Sequence, residues 1–143
     1  MPLTRDTDIK ALLERVHTIA LVGASDRPDR PSHRVMAFLQ RHGYRVIPVN
    51  PRIAGARLLG ETVETELGAI AEPVDLVDIF RRPQAAGEAV DAAIAARVPA
   101  VWLQLGVINP EAAARAESAG LQVVMDRCPA IEIVRLETAT ARA

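Results

Sequence analysis

The stretch Thr18–Val35, TIALVGASDRPDRPSHRV, decides the fold. Its first five residues are apolar and partly β-branched, with no polar alternation, which is how a strand covered on both faces reads. The run breaks at Gly23, where the backbone can turn tightly. From Ser32 to His42, Val35, Met36, Phe38 and Leu39 recur at one-face helical spacing, with Ser32 as the expected N-cap and Gly43 just past the end. A buried strand, a glycine turn and a helix form the first half of a strand–helix–strand crossover. The N–H groups that open such a helix carry partial positive charge and can hold an anion. Ser25 adds a hydroxyl, and Arg27, Arg30 and Arg34 bring planar forks suited to phosphate.

The same alternation continues outward. Further strands are expected at Arg45–Val49 (RVIPV), Val74–Phe80 (VDLVDIF), Ala100–Leu105 (AVWLQL) and Leu121–Met125 (LQVVM). Helices are expected over Asp6–Val16, capped by Asp6 or Thr7, and over Glu64–Ala71 and Gln84–Arg97. Another follows Asn109 as N-cap with Pro110 at its first position, and Gly120 closes it. Strands alternating with helices imply right-handed crossovers and a mostly parallel sheet of five strands between helical layers, an α/β sandwich. Asp126–Leu136 begins polar and reads as a segment wrapping back over the sheet, and Glu137–Ala143 as a frayed tail.

The 143 residues suffice for one domain, 1–143, with its core over about 16–136. The 17 basic residues, of which only Lys10 is not Arg, nearly balance 18 acidic ones. That balance gives no footprint for nucleic acid. No apolar run has the length of a membrane span, and the start MPLTRDTDIK carries charges where a signal peptide is expected to carry an apolar run. A single cysteine, Cys128, cannot form an internal disulfide, which fits a cytoplasmic protein.

In a sheet of this kind ligands sit beyond the carboxyl ends of the strands, where the strand order reverses. The segments to weigh are therefore GASDRPDRPS, NPRIAG, RRP, QLG and DRC. A dinucleotide site wants Gly-x-Gly-x-x-Gly and an acidic residue after the second strand. Neither is present: Asn50, Pro51 and Arg52 stand after that strand, which disfavours NAD and leaves NADP open. Arg81 and Arg82 follow the third strand in good position for a phosphate or a ribose, or else form a surface pair. Gln104 and Gly106 end the fourth strand, and Trp102 reads as core. In the fifth segment Asp126 and Arg127 are expected to form at most a salt bridge, and Cys128 reads as a buried, inert thiol. His17, His33 and His42 have no metal-ligand spacing, and no nucleophile elbow, Walker lysine loop or carboxylate pair appears.

Together, VGASDRPDRPSHRV, GYRVIPVNP, PVDLVDIFRRP, VWLQLGVIN and GLQVVMDRC resemble the small single-domain CoA-binding proteins, which are similar to the N-terminal CoA-binding domain of the succinyl-CoA synthetase alpha subunit. The resemblance covers Val16 to about Leu136 and implies a Rossmann-like fold. It implies binding of coenzyme A, free or acylated, through Gly23, Ala24, Ser25 and Arg27, then Asn50 and Pro51, then Phe80 and Arg81, and finally Gln104, Leu105 and Gly106; the neighbouring forks of Arg30 and Arg52 are expected to join them at the phosphates. Small members of that family often close with Asp-Arg-Cys-x-Lys-Ile-Glu-His, whereas this chain carries Ala130 and Ile133 in place of the Lys and His. The phosphorylated histidine and nucleotide-binding subunit of the synthetase have no counterpart in these residues. The expectation is a non-catalytic carrier, sensor or regulatory module for CoA or a short acyl-CoA. The alternatives are an NADP-linked oxidoreductase, a CoA-dependent transferase, or a subunit that recruits a partner.

Overall fold

A computed structural model describes residues 1–139. In chain order its elements are α1 (Asp6–Arg15), β1 (Thr18–Val22), α2 (Pro31–Arg41), β2 (Arg45–Val49), the short hairpin β3 (Arg57–Leu58) and β4 (Glu61–Thr62), and β5 (Leu76–Ile79). There follow α3 (Pro83–Ala95), β6 (Ala100–Leu103), α4 (Pro110–Ser118), β7 (Gln122–Met125) and α5 (Pro129–Arg135). The main sheet is parallel throughout, in the order β2-β1-β5-β6-β7. The chain thus builds one strand outward from β1, then returns to β1's other side and builds the rest, so the order reverses between β1 and β5.

The alternation of side chains along each strand divides the core in two. Ile19, Leu21, Val46, Leu76, Trp102 and Val124 face α1, α2 and α5, where they meet Ile9, Leu12, Leu13, Met36, Leu39 and Ile133. Ala20, Val22, Val49, Val77, Ile79, Val101, Leu103 and Val123 face α3 and α4. Those two helices meet through Ala86, Ala89, Ala93, Ala112, Ala113 and Ala116, all buried, and the small side chains let them pack side by side over the sheet. The result is the three-layer α/β sandwich expected from the sequence; β1 and β2 match their expected spans, and the other three strands are shorter than expected by one to three residues.

Several local expectations fail for identifiable reasons. The helix expected over 64–71 is only a 3-10 turn at Leu67–Ala69. Glu64 is instead drawn to the exposed edge of β2, donating its N–H to Pro48 O at 2.9 Å and accepting from Asn50 N at 3.0 Å. A sheet edge leaves unpaired backbone groups, and covering them outweighs a weak helical tendency interrupted by Gly68. Ser32 does not cap α2. Arg30 holds that position, Pro31 opens the helix and Ser32 is buried in its first turn. Asp6 and Thr7 likewise lie inside α1 rather than capping it. Asp6 meets Arg135 at 2.7 Å, which ties α1 to α5 and holds the Asp6 carboxyl below the usual range. Asn109 does cap α4, accepting from Ala112 N at 3.1 Å.

Asp126–Leu136, expected to wrap back irregularly, contains a helix, α5, opened by Pro129. It completes the layer with α1 and α2 by burying Ile133, while Glu132 is held by Arg127 and Arg135. The tail expected to fray from Glu137 is docked at its start: Thr138 is buried and Ala139 N donates to Glu14 at 2.8 Å. The remainder of that expectation, 140–143, lies outside the described residues. No described helix is long and apolar enough to cross a membrane.

Candidate functional site

The reversal point is built by close backbone approach. Phe80 N donates to Val22 O at 2.8 Å, which brings the end of β5 against the end of β1. Gly23 has φ +93°, and a Cβ built there would lie 2.0 Å from Phe80 O, so only glycine fits. The N–H groups of Gly23 and Ala24 both point to Val49 O, at 3.0 and 3.3 Å. They therefore brace the loop against β2. Asn50 completes the brace. Its Nδ2 donates to Ala24 O at 2.8 Å and its Oδ1 accepts from Arg52 N at 2.9 Å. Ser25 Oγ accepts from Arg27 N at 3.1 Å and keeps its own proton to donate.

These loops open a groove of about 930 Å³ along the carboxyl edge of the sheet. Of the residues singled out from sequence, Gly23, Ala24, Ser25, Arg27, Arg30, Asn50, Arg52, Phe80, Arg81, Gln104 and Leu105 line it together. Pro51 lines an adjoining hollow of about 680 Å³ on the α3 side, which shares Arg30, Arg52, Arg81 and Arg82 with the groove. Gly106 lines neither. Its N–H is taken by Asp126 Oδ1 at 2.8 Å, which ties the loop after β6 to the loop after β7; the salt bridge expected between Asp126 and Arg127 does not form, because Arg127 turns to Glu132 at 3.1 Å instead. Asp126 itself adopts φ +61°, a conformation Asp tolerates better than most residues.

Strand order sorts the groove by polarity. Arg27, Arg30, Arg34, Arg52, Arg81 and Arg82 all come from the segments after β1, β2 and β5. The lining after β6 and β7 is Gln104, Leu105, Val107, Cys128 and Ile131, without a charge. The arginines are also available. Arg27 is 3.7 Å from Asp29, and Arg34 donates to the carbonyl of Asp29, but Arg30, Arg52, Arg81 and Arg82 have no side-chain partner among the described residues. Elsewhere Arg5, Arg45, Arg115, Arg127 and Arg135 each face a carboxylate. Exposed guanidinium groups gathered at one sheet edge, with Asp26 the one acidic residue of the groove lining and Asp29 beside Arg27, are arranged for an anion.

The lining by Val35, Ile53, Val107 and Ile131 was not legible in the sequence, because an apolar residue carries no sign of facing a groove rather than the core. Pro129 at the start of an apolar run was the signal that would have placed α5, and with it Ile131. Cys128 is buried, as expected, yet it lines the groove's apolar half. No group of three or more His, Cys, Asp and Glu among the described residues can hold a metal ion. Below the reversal point Asp78 is fully buried beside Leu21 and Trp102, its strand neighbours. Neither carboxylate oxygen has a partner among the described residues, and burial pushes its pKa well above the usual range.

A parallel five-stranded sheet with one reversal, helices on both faces and a groove along its carboxyl edge defines a Rossmann-like α/β domain. The chain belongs to the CoA binding domain family, which it matches over residues 17–134. The uncharacterized protein YneT of Bacillus subtilis (strain 168) is 40% identical over 121 residues, 85% of this chain and 88% of that one. A hypothetical protein from Pyrococcus horikoshii OT3 superposes with a TM-score of 0.90 at 38% identity, covering 96% of each chain. One part of a larger enzyme is similar as well. The dinucleotide forming acetyl-coenzyme A synthetase 1 of Ca. Korarchaeum cryptofilum (apo form) gives a TM-score of 0.71 at 25% identity, over 83% of this chain and 28% of that one.

Proposed function

We propose that the groove binds coenzyme A and that the protein serves as a carrier, sensor or regulatory module for it rather than as a catalyst. The observation that carries this reading is the division of the groove into an arginine half and a neutral, largely apolar half. Coenzyme A is divided in the same way, with a diphosphate and a ribose 3′-phosphate at one end and a thin, uncharged pantetheine arm at the other. Arg30, Arg52, Arg81 and Arg82 supply unpaired forks for phosphate oxygens, with Arg27 and the Ser25 hydroxyl beside them. A charge-assisted hydrogen bond contributes roughly 1.5–3 kcal/mol where water is excluded, and less on exposed arginines such as these. The hollow that Pro51 and Leu67 line offers a place for the adenosine. Gln104, 6% exposed in the groove wall, brings an amide to the path of the two pantetheine amides. Gly23, Ala24, Asn50 and Phe80 shape the loops, and Gly106 positions its loop through Asp126.

The neutral half presents an amide, a thiol and aliphatic side chains, a set that holds an arm rather than moving protons on it. Calorimetry with CoA, dephospho-CoA and NADPH tests the reading. CoA is expected to bind saturably and more tightly than dephospho-CoA, and Arg81→Ala and Arg52→Ala are each expected to weaken it roughly tenfold. An absence of heat with CoA at millimolar concentration removes the proposal. Saturable NADPH binding without CoA binding points to a redox substrate instead.

A further inference from the structure

The groove does not end at its apolar half. A further hollow of about 420 Å³ adjoins it beyond the carboxyl end of β7, between the segment 1–4 and α5. Leu105, Cys128 and Ile131 line both, so the two share an apolar sill. Leu105 and Ile131 are 59% and 53% exposed; Ile108 and Val134 are exposed elsewhere, but these two stand where the groove and the hollow meet. On the far side the wall continues with Leu3 and Met125. The charged side chains there are already engaged: Arg127 with Glu132 at 3.1 Å, Glu132 with Arg135 at 2.7 Å, and Asp126 with Gly106 N at 2.8 Å. What remains available to a ligand is mainly aliphatic surface.

Along the sheet edge the order is therefore arginines, then a neutral stretch, then an aliphatic hollow. A free thiol terminus would leave that last hollow unfilled, whereas an aliphatic chain on the thiol would meet Leu105, Ile131, Leu3 and Met125. We propose that the ligand is an acyl-CoA with an apolar acyl chain, the chain crossing the sill of Leu105 and Ile131 into the hollow beside α5. This rests on the CoA reading above and names the form of ligand that the site prefers. Burial of each methylene favours binding by up to about fourfold in affinity, and by less where one side of the chain stays wet.

The test is calorimetry with the full chain against CoA, acetyl-CoA, butyryl-CoA, hexanoyl-CoA and octanoyl-CoA. Affinity is expected to rise with chain length, by roughly twofold or more per added methylene once the chain passes the sill. Ile131→Gln, on an exposed position of α5, should flatten the series, lowering affinity for octanoyl-CoA far more than for free CoA. Val134→Gln, equally exposed on α5 but outside both hollows, should leave the slope intact. Binding of CoA with a flat series, or with free CoA tightest, overturns the acyl inference and leaves CoA binding standing. A slope lost equally in both variants assigns it to general surface stickiness and also overturns the inference. So does a dimer in native mass spectra that Ile131→Gln dissociates while the series is flat, which would make the sill a contact between two copies. Failure of every compound, CoA included, overturns both readings together.

Discussion

Asp78 offers the sharpest test of the structure. It lies in the central strand β5, flanked across the ladder by Leu21 and Trp102, is 0% exposed and has no hydrogen-bond partner on either oxygen among the described residues. An ionised carboxylate there would lack both water and a counter-charge, so the folded protein holds Asp78 as the neutral acid. The unfolded chain loses that proton near pH 3.8, the ordinary value, while the native state keeps it. A folded pKa raised in this way gives stability that is complete below about 3.8 and falls as pH rises, until the native carboxyl itself ionises. Over that window the slope approaches roughly 1.4 kcal/mol per pH unit from this one group. Asp78→Asn keeps the shape and removes the titration. Asp78→Val also removes the unpaired polar atoms, whose burial costs about 1–3 kcal/mol. Urea unfolding of the three proteins from pH 4 to pH 8 measures the effect as a difference, which cancels the other titrating groups. Both variants should gain on the parent as pH rises, with Asp78→Val more stable than Asp78→Asn throughout. A difference independent of pH would show the carboxylate equally ionised in both states and would refute the argument.

Other consequences concern the loops. Gly23→Ala should destabilise by roughly 2–4 kcal/mol, read as a lower urea midpoint, because the added methyl meets Phe80 O at 2.0 Å on a backbone with φ +93°. Asn50→Ala leaves Ala24 O and Arg52 N without their partner, so a loss of about 1–2 kcal/mol is expected, with weaker CoA binding as the two loops separate. Asn50→Asp should restore only the Arg52 contact, so affinity should fall between the two. Cys128 lines the neutral half of the groove, so diamide, acting as the oxidant, should join it to the thiol of bound CoA. Intact mass should then gain one CoA, Cys128→Ser should abolish the gain, and a wild-type protein that gains nothing would place the pantetheine terminus elsewhere.

What was legible in the sequence follows from local rules. The apolar runs at 18–22, 45–49 and 100–103 carry their own strand signal, because strands buried on both faces need no alternation, and their separation by helical spacing leaves a parallel α/β sheet as the consistent result. The arginine side of the groove was legible too, since Arg27, Arg30, Arg52 and Arg81 stand directly after strands and the carboxyl ends of parallel strands share one edge.

Tertiary structure decided the rest, where a residue's role depends on a partner distant in the chain. Gly23 was legible only as a tight turn, and the fold shows what it serves: its amide belongs to Val49 and its missing side chain to the carbonyl of Phe80. Asn50 looked like a ligand contact and acts as a clasp between loops. Glu64 left its helical pattern to cover the edge of β2, a need that exists only once the sheet has an edge. The sequence by itself determined which main strands form, most of the helices, and that cations collect after β1, β2 and β5. Only the folded chain set strand order, and strand order laid the basic, neutral and aliphatic segments in one line, because hydrogen bonding between distant strands, not their spacing in the chain, determines which loops become neighbours.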